Sequence, residues 1–268
     1  MRLALIFRGI SYVENFLHKY NIPLYTIDYR DTFPSIDKHL LQPYKDMGFD
    51  VDIFITTYHS KYENELLATF NPKKAIFRDY KQVPLGEAQI EIIEPLQIDQ
   101  YMECFNLIED YEKEHNFQYD NICITRFDLF FYKNVSEIDL DLNVFNYCFW
   151  HIARSHNSSY IFTNEDNFLF YPRSKNDMMK NALIMMKKDK RSTHLSSKYL
   201  LDQKETIKFL FGEKGDGAYD YPFYKFGRHI FGNARNFNSI EDNLSIQMNR
   251  IYHSEDEKIN PRAIYIKG

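Results

Sequence analysis

The chain has 268 residues, with 33 Lys and Arg against 38 Asp and Glu, a formal net charge of −5. With no basic stripe along the sequence, that balance argues against a binder that tracks nucleic-acid phosphates, and no nucleic-acid partner is expected. Apolar residues make up 44% of the chain, enough to fill one large α/β core, and no stretch approaches the ~20 apolar residues of a transmembrane helix, so no transmembrane segment is expected. The densest basic run, Lys187-Lys188-Asp189-Lys190-Arg191, reads as a solvated helix end. The acidic balance argues against docking on anionic lipids, except through a local patch. Cys104, Cys123 and Cys148 are far apart and odd in number. They have no zinc-type spacing and read as reduced core residues of an intracellular protein.

In chain order, residues 3–7 are a continuous apolar run closed by Arg8-Gly9, which predicts a buried strand and a tight turn; the run is too short for a signal peptide. Helical spacing covers 35–47, with Gly48 as the stop. A second strand is predicted over 51–56, ending at Thr56-Thr57-Tyr58. A helix over 63–70 stops before Pro72, and a short strand follows over 74–78. Residues 98–115 form a long amphipathic helix. Residues 122–125 read as a buried strand with Arg126-Phe127-Asp128 at its end. Further strands are expected over 145–150 and 167–171, and helices over 176–187 and 200–211. Residues 212–221 are a Gly/Asp-rich loop. Strands alternating with helices predict a mainly parallel central sheet with helices on both faces, in one domain spanning 1–268. Ligands in such sheets sit outside the C-terminal strand ends, which gathers Arg8-Gly9, Thr56–Tyr58 and Arg126–Asp128 at one rim.

A period of two puts Arg126 and Asp128 on one face. The carboxylate could hold a divalent cation, Mn²⁺ or Mg²⁺, and the guanidinium could grip a diphosphate. The pair could equally be an ion pair capping the strand. Glu165-Asp166 fits a base with its neighbour or a polar turn. His151, Arg154 and His156 fit phosphate contacts or scaffold. Residues 215–220 fit a glycine-hinged lid or a plain surface loop.

Tyr119-Asp120, the apolar strand and Arg126-x-Asp128-Leu-x-Phe resemble glycosyltransferases of the Rossmann-like GT-A fold, most closely those of large algal viruses and of bacteria that make surface glycans. The opening strand into Phe7-Arg8-Gly9, the segment Val51–Tyr58 and Asp166-Asn167-Phe168-Leu169-Phe170 extend the resemblance over residues 1–185. It implies a nucleotide-sugar donor, with a UDP-sugar favoured, and a glycan or glycoprotein acceptor. Residues up to about 130 would be the donor half and the remainder the acceptor half, in the cytoplasm (the host's, for a viral protein). It also implies donor contacts from Arg8, Gly9, Thr56, Tyr58, Arg126 and Asp128. Asp128 would be the metal ligand, and Asp166 the base of an inverting transfer. Of the late residues, His253, with His229 behind it, is the candidate to complete the metal site, although a lone histidine fits a structural role as well. That family's Asp-x-Asp motif has Arg126 in its first position here, so the guanidinium could take over part of the metal's work. A sugar nucleotidyltransferase and a noncatalytic carbohydrate- or nucleotide-binding protein are the other readings.

Overall fold

Strand β1 (Arg2–Arg8) is buried from Leu3 onward, which explains its unbroken apolar sequence. The computed structural model describes residues 1–18, 22–79, 82–85, 89–92, 97–154, 160–164, 166–211, 224–226 and 264–267. After β1 come a hairpin of β2 (Tyr12–His18) and β3 (Ile22–Asp28), helices α1 (Tyr29–Ile36) and α2 (Gln42–Asp46), and β4 (Asp50–Tyr58). Next are α3 (Glu63–Phe70), β5 (Lys74–Arg78), the hairpin β6 (Gln82–Leu85) with β7 (Gln89–Ile92), α4 (Gln97–His115), β8 (Asn121–Arg126) and β9 (Leu129–Phe131). The later chain supplies β10 (Phe145–Tyr147), the hairpin β11 (Trp150–Arg154) with β12 (Tyr160–Asn164), β13 (Leu169–Pro172), α5 (Asn176–Lys188), α6 (Ser196–Asp202), β14 (Thr206–Phe209), β15 (Tyr224–Phe226) and β16 (Ile264–Lys267).

The central sheet has the order β16-β14-β10-β13-β8-β1-β4-β5. From β14 to β5 every strand runs in one direction except β13, which is antiparallel to both β10 and β8. This is the mainly parallel α/β architecture expected from the sequence. Alternation along β1 assigns its two faces. Leu3, Leu5 and Phe7 pack with Tyr29 of α1, Leu40 of the helical stretch that follows it, Tyr44 of α2 and Phe70 of α3. Ala4 and Ile6 pack with Tyr101, Phe105 and Ile108 of α4 and Met179 and Leu183 of α5. Helices therefore cover both faces. Cys104, Cys123 and Cys148 are buried and unbridged. Burial pushes the Cys104 and Cys123 thiols up to about 12, so both stay protonated at neutral pH.

Two expectations need correction. The first helix begins at Tyr29 rather than at residue 35, because Asp28 caps it by accepting from the Arg30 N–H. Pro34 inside it marks no boundary, since the chain continues through a π-turn at Asp37–Leu41 into α2. The helix expected over 200–211 is instead α6 followed by β14. Lys204 takes a left-handed conformation (φ 64°) that ends the helix. Beyond it, Ile207 and Phe209 join the α4-side core while Lys208 between them donates to Asp139, a strand's alternation.

Candidate functional site

The chain runs from β1 outward to β4 and β5, then returns to place β8 on the other side of β1. The β1/β8 boundary is thus a topological switch point, where the loops leaving two neighbouring strands diverge and open a crevice. Arg8 is in register with Thr56 on one side and with Arg126 on the other. Three expected donor residues therefore form one row across the rim, on the face covered by α4. Gly9 follows with φ 91°, a turn that suits glycine, and its N–H donates to the Thr56 carbonyl at 3.2 Å.

Arg8 is 1% exposed. Its Nη2 donates to the Tyr101 hydroxyl (3.0 Å), the Asp166 carbonyl (2.6 Å) and Asp166 Oδ2 (3.2 Å), and its guanidinium carbon lies 4.4 Å from the Tyr101 ring centre. Its Nε–H is buried with no hydrogen-bond partner among the described residues. An orphaned buried donor costs about 1–3 kcal/mol, and sites that bind something are where such groups are tolerated. Burial pushes the Tyr101 hydroxyl up to about 12, so it remains a donor, to the Asp166 carbonyl at 3.1 Å.

Asp166 is also buried. Burial alone would raise its carboxyl, but the charges of His194, Arg8 and Arg126 and a hydrogen bond from Thr193 outweigh it and hold the group well below the usual carboxylate range. Thr193 Oγ1 lies 2.8 Å from Asp166 Oδ2 and 2.7 Å from the Gln97 side chain in the first turn of α4. His194 Nδ1 is 3.1 Å from the Asn164 carbonyl oxygen and 3.7 Å from Asp166 Oδ1. A carbonyl only accepts, so Nδ1 carries the proton in the neutral ring and Nε2 keeps the lone pair. The His194 side chain is 44% exposed, against 3% for Asp166.

The linkage has a definite sign. A carboxyl whose folded value is depressed adds stability above its ordinary value and loses it as pH falls through the folded one. Asp166→Asn should therefore be most costly near neutrality and close to neutral in effect under acid, which paired melting curves at descending pH would check.

Arg126 donates through Nε and Nη2 to the two oxygens of Asp128, each at 2.8 Å. Burial would lower the Arg126 value, but Asp128 raises it, so the guanidinium stays charged. Asp128 is 4% exposed with both oxygens engaged. A divalent cation needs several oxygen ligands, and among the described residues no group of three His, Cys, Asp or Glu side chains could hold a metal. The described donor set does not fit Mn²⁺ or Mg²⁺ at Asp128: a cation there would compete with a bidentate guanidinium.

Tyr58 shares the row's face and accepts from Gln100 of α4 at 2.8 Å. The structure thus gathers Arg8, Gly9, Thr56, Tyr58, Arg126, Asp128 and Asp166. His253, His229, Glu165, His156 and residues 215–220 lie outside the described residues. His151 and Arg154 are in β11, which pairs with β12. Sequence reasoning missed Tyr101, Thr193 and His194, and also a cluster on the other face of the rim. There Tyr12 and Tyr62 meet edge to face at 4.7 Å, and Arg30, held bidentately by Asp28, lies 3.7 Å over the Tyr62 ring. The one available signal was position: Tyr12 and Tyr62 each follow a strand end by four residues.

No protein-family model matches the chain, and no curated protein is significantly similar to it. Among the described residues no helix is long and apolar enough to cross a membrane. Sheet order and rim together define a Rossmann-like α/β protein with a buried polar cluster at its switch point.

Proposed function

We propose that the chain is a glycosyltransferase that moves a sugar from a nucleotide-sugar donor, a UDP-sugar by preference, to a glycan or glycoprotein acceptor. One observation carries the reading: two strand-end arginines, Arg8 and Arg126, stand side by side at the switch point, and the buried Nε–H of Arg8 has no hydrogen-bond partner among the described residues. A diphosphate is the ligand two adjacent guanidiniums suit best. The Tyr12–Tyr62 pair, on the other face of the rim, offers aromatic surface for a base. An acceptor hydroxyl must lose a proton as it attacks the anomeric carbon. Asp166, charge-neutralised and buried, is poorly suited to take that proton, whereas His194 has a lone pair on an exposed ring. In this reading Asp166 is the anion that orients Arg8 and His194, and His194 is the base.

The neutralised carboxylates Asp128 and Asp166 favour a second reading, a nucleotide- or carbohydrate-binding protein without turnover. Melting the chain with UDP-, GDP-, CMP- and dTDP-sugars, each with Mn²⁺, Mg²⁺ or EDTA, decides between them. A true donor at about 100 times its Kd should stabilise by ~2.7 kcal/mol. We expect a shift that survives EDTA, followed by slow release of the nucleotide. A shift without release favours the binding protein, a shift lost in EDTA restores a metal to the site, and no shift with any sugar nucleotide sinks the proposal.

A further inference from the structure

Among the described residues four large hydrophobic side chains are exposed, and apart from Met1 all lie on α5: Met178 (39%), Ile184 (54%) and Met185 (45%). The helix buries Met179, Ala182, Leu183 and Met186 against the sheet and α4. Its outer face carries Met178, Asn181, Met185 and Lys188 at steps of three and four residues, with Ile184 beside them. Apolar side chains on that face gain nothing from the fold.

Behind this stripe the chain is basic. Arg191 N–H donates to the Met186 carbonyl and Lys190 N–H to the Lys187 carbonyl, closing the helix with Lys190 in the left-handed conformation (φ 54°). Lys187 pairs with Asp99 and Lys198 with Asp202. Lys188, Lys190 and Arg191 are exposed and make no ion pair among the described residues. Asp189, the one acid in the run, accepts from the Tyr199 hydroxyl at 2.7 Å. A recess of about 420 Å³ beside the turn is lined by Arg191, Lys198, Leu195 and Tyr199 together with Asp189. On a chain of net charge −5 this is a local reversal of sign.

We propose that the outer face of α5 and the basic turn behind it dock on an anionic lipid bilayer. The apolar stripe enters the acyl boundary, the three exposed cations meet the negative surface, and the recess between Arg191 and Lys198 seats a headgroup phosphate. The charge complementarity selects a bilayer over a second copy of the chain, whose matching face would be equally positive. Docking also places the rim near the membrane, because Thr193, two residues beyond Arg191, is bonded to Asp166. The surface does not depend on the sugar-transfer reading.

The test is sedimentation of the full chain with phosphatidylcholine vesicles, alone or with about 30% phosphatidylserine. Wild type should pellet only with the anionic vesicles and be released by salt. Lys188→Gln, Lys190→Gly and Arg191→Gln together should lower partitioning on the order of 100-fold. Glycine suits the φ of residue 190, so this variant should melt no lower than wild type, separating lost docking from lost folding. Ile184→Asn with Met185→Gln should lower partitioning about tenfold. Wild type absent from the anionic pellet, or the triple variant pelleting like wild type, overturns the proposal. So does a concentration-dependent dimer that Ile184→Asn abolishes, which would give the face to a second copy.

Discussion

Replacing Arg8 by methionine should cost about 3–5 kcal/mol of stability, because it strands Asp166, a buried carboxylate, without its cation. Two other features of the site raise the expectation to the upper part of that range. Arg8 Nη2 is bound by three acceptors at once, and the Tyr101 hydroxyl and ring both lose their neighbour. In a chain of this length the change corresponds to a fall in Tm of about 10 °C. The double variant Arg8→Met with Asp166→Asn should lose much less than the two single changes added, since the second removes the charge the first leaves stranded. Chemical denaturation of the four proteins measures this coupling. Additive losses would mean that the two side chains are neighbours without being partners. Where the Arg8→Met protein remains folded, it should also lose the stabilisation by sugar nucleotides.

The second large effect is on turnover. His194→Ala should lower the rate with a stabilising sugar nucleotide by about 10²–10⁴-fold, the usual contribution of a positioned base. The ring is 44% exposed and lies 3.7 Å from Asp166, whose charge Arg8 and Thr193 still meet when the ring is removed, so stability should fall less than in Asp166→Asn. The thermal shift with donor should also be retained, because the loss falls on the chemical step and not on binding. Asp166→Asn should behave differently, losing stability and rate together. Equal effects of both substitutions on rate, with stability unchanged in each, would return the base role to Asp166.

The parallel half of the fold was legible because it repeats one signal. Apolar runs closed by a turn or polar residue mark β1, β4, β5 and β8 almost to their ends, and the helical periods of α3 and α4 separate the last three. Glu63–Phe70 and Lys74–Arg78 coincide with the predicted ranges, since Pro72 and Asn71 leave little room between them. The rim followed from the strand ends alone. What the sequence could not convey was long-range pairing. The Arg126–Asp128 ion pair is one of two readings that a spacing of two residues leaves open, and the structure shows it formed. Arg8 reads as a donor contact at the rim, and only the fold shows Asp166 and Tyr101 enclosing it, across 158 and 93 residues of chain. His194 follows a basic run that looks like solvent-exposed filler, and only the fold brings it beside Asn164 and Asp166. The segment after α6 misled because Ile207, Phe209, Leu210 and Phe211 satisfy a helical and a strand period equally well.

The lone reversed strand has a consequence for how this rim can vary. Parallel strands deliver to it only residues that follow them, as β1 delivers Arg8 and β8 delivers Arg126. Because β13 points the other way, it delivers what precedes it, and Asp166 lies three residues ahead of Leu169. Adding two residues ahead of Arg126 at the end of β8 would keep it on the same face and carry it outward by about 6.6 Å. Adding two ahead of Leu169 would carry Asp166 outward by a similar step. The contact between the strand-end cations and their anion can thus be tuned from opposite chain directions, by insertions at the rim that leave the pairing of the strand interiors in place.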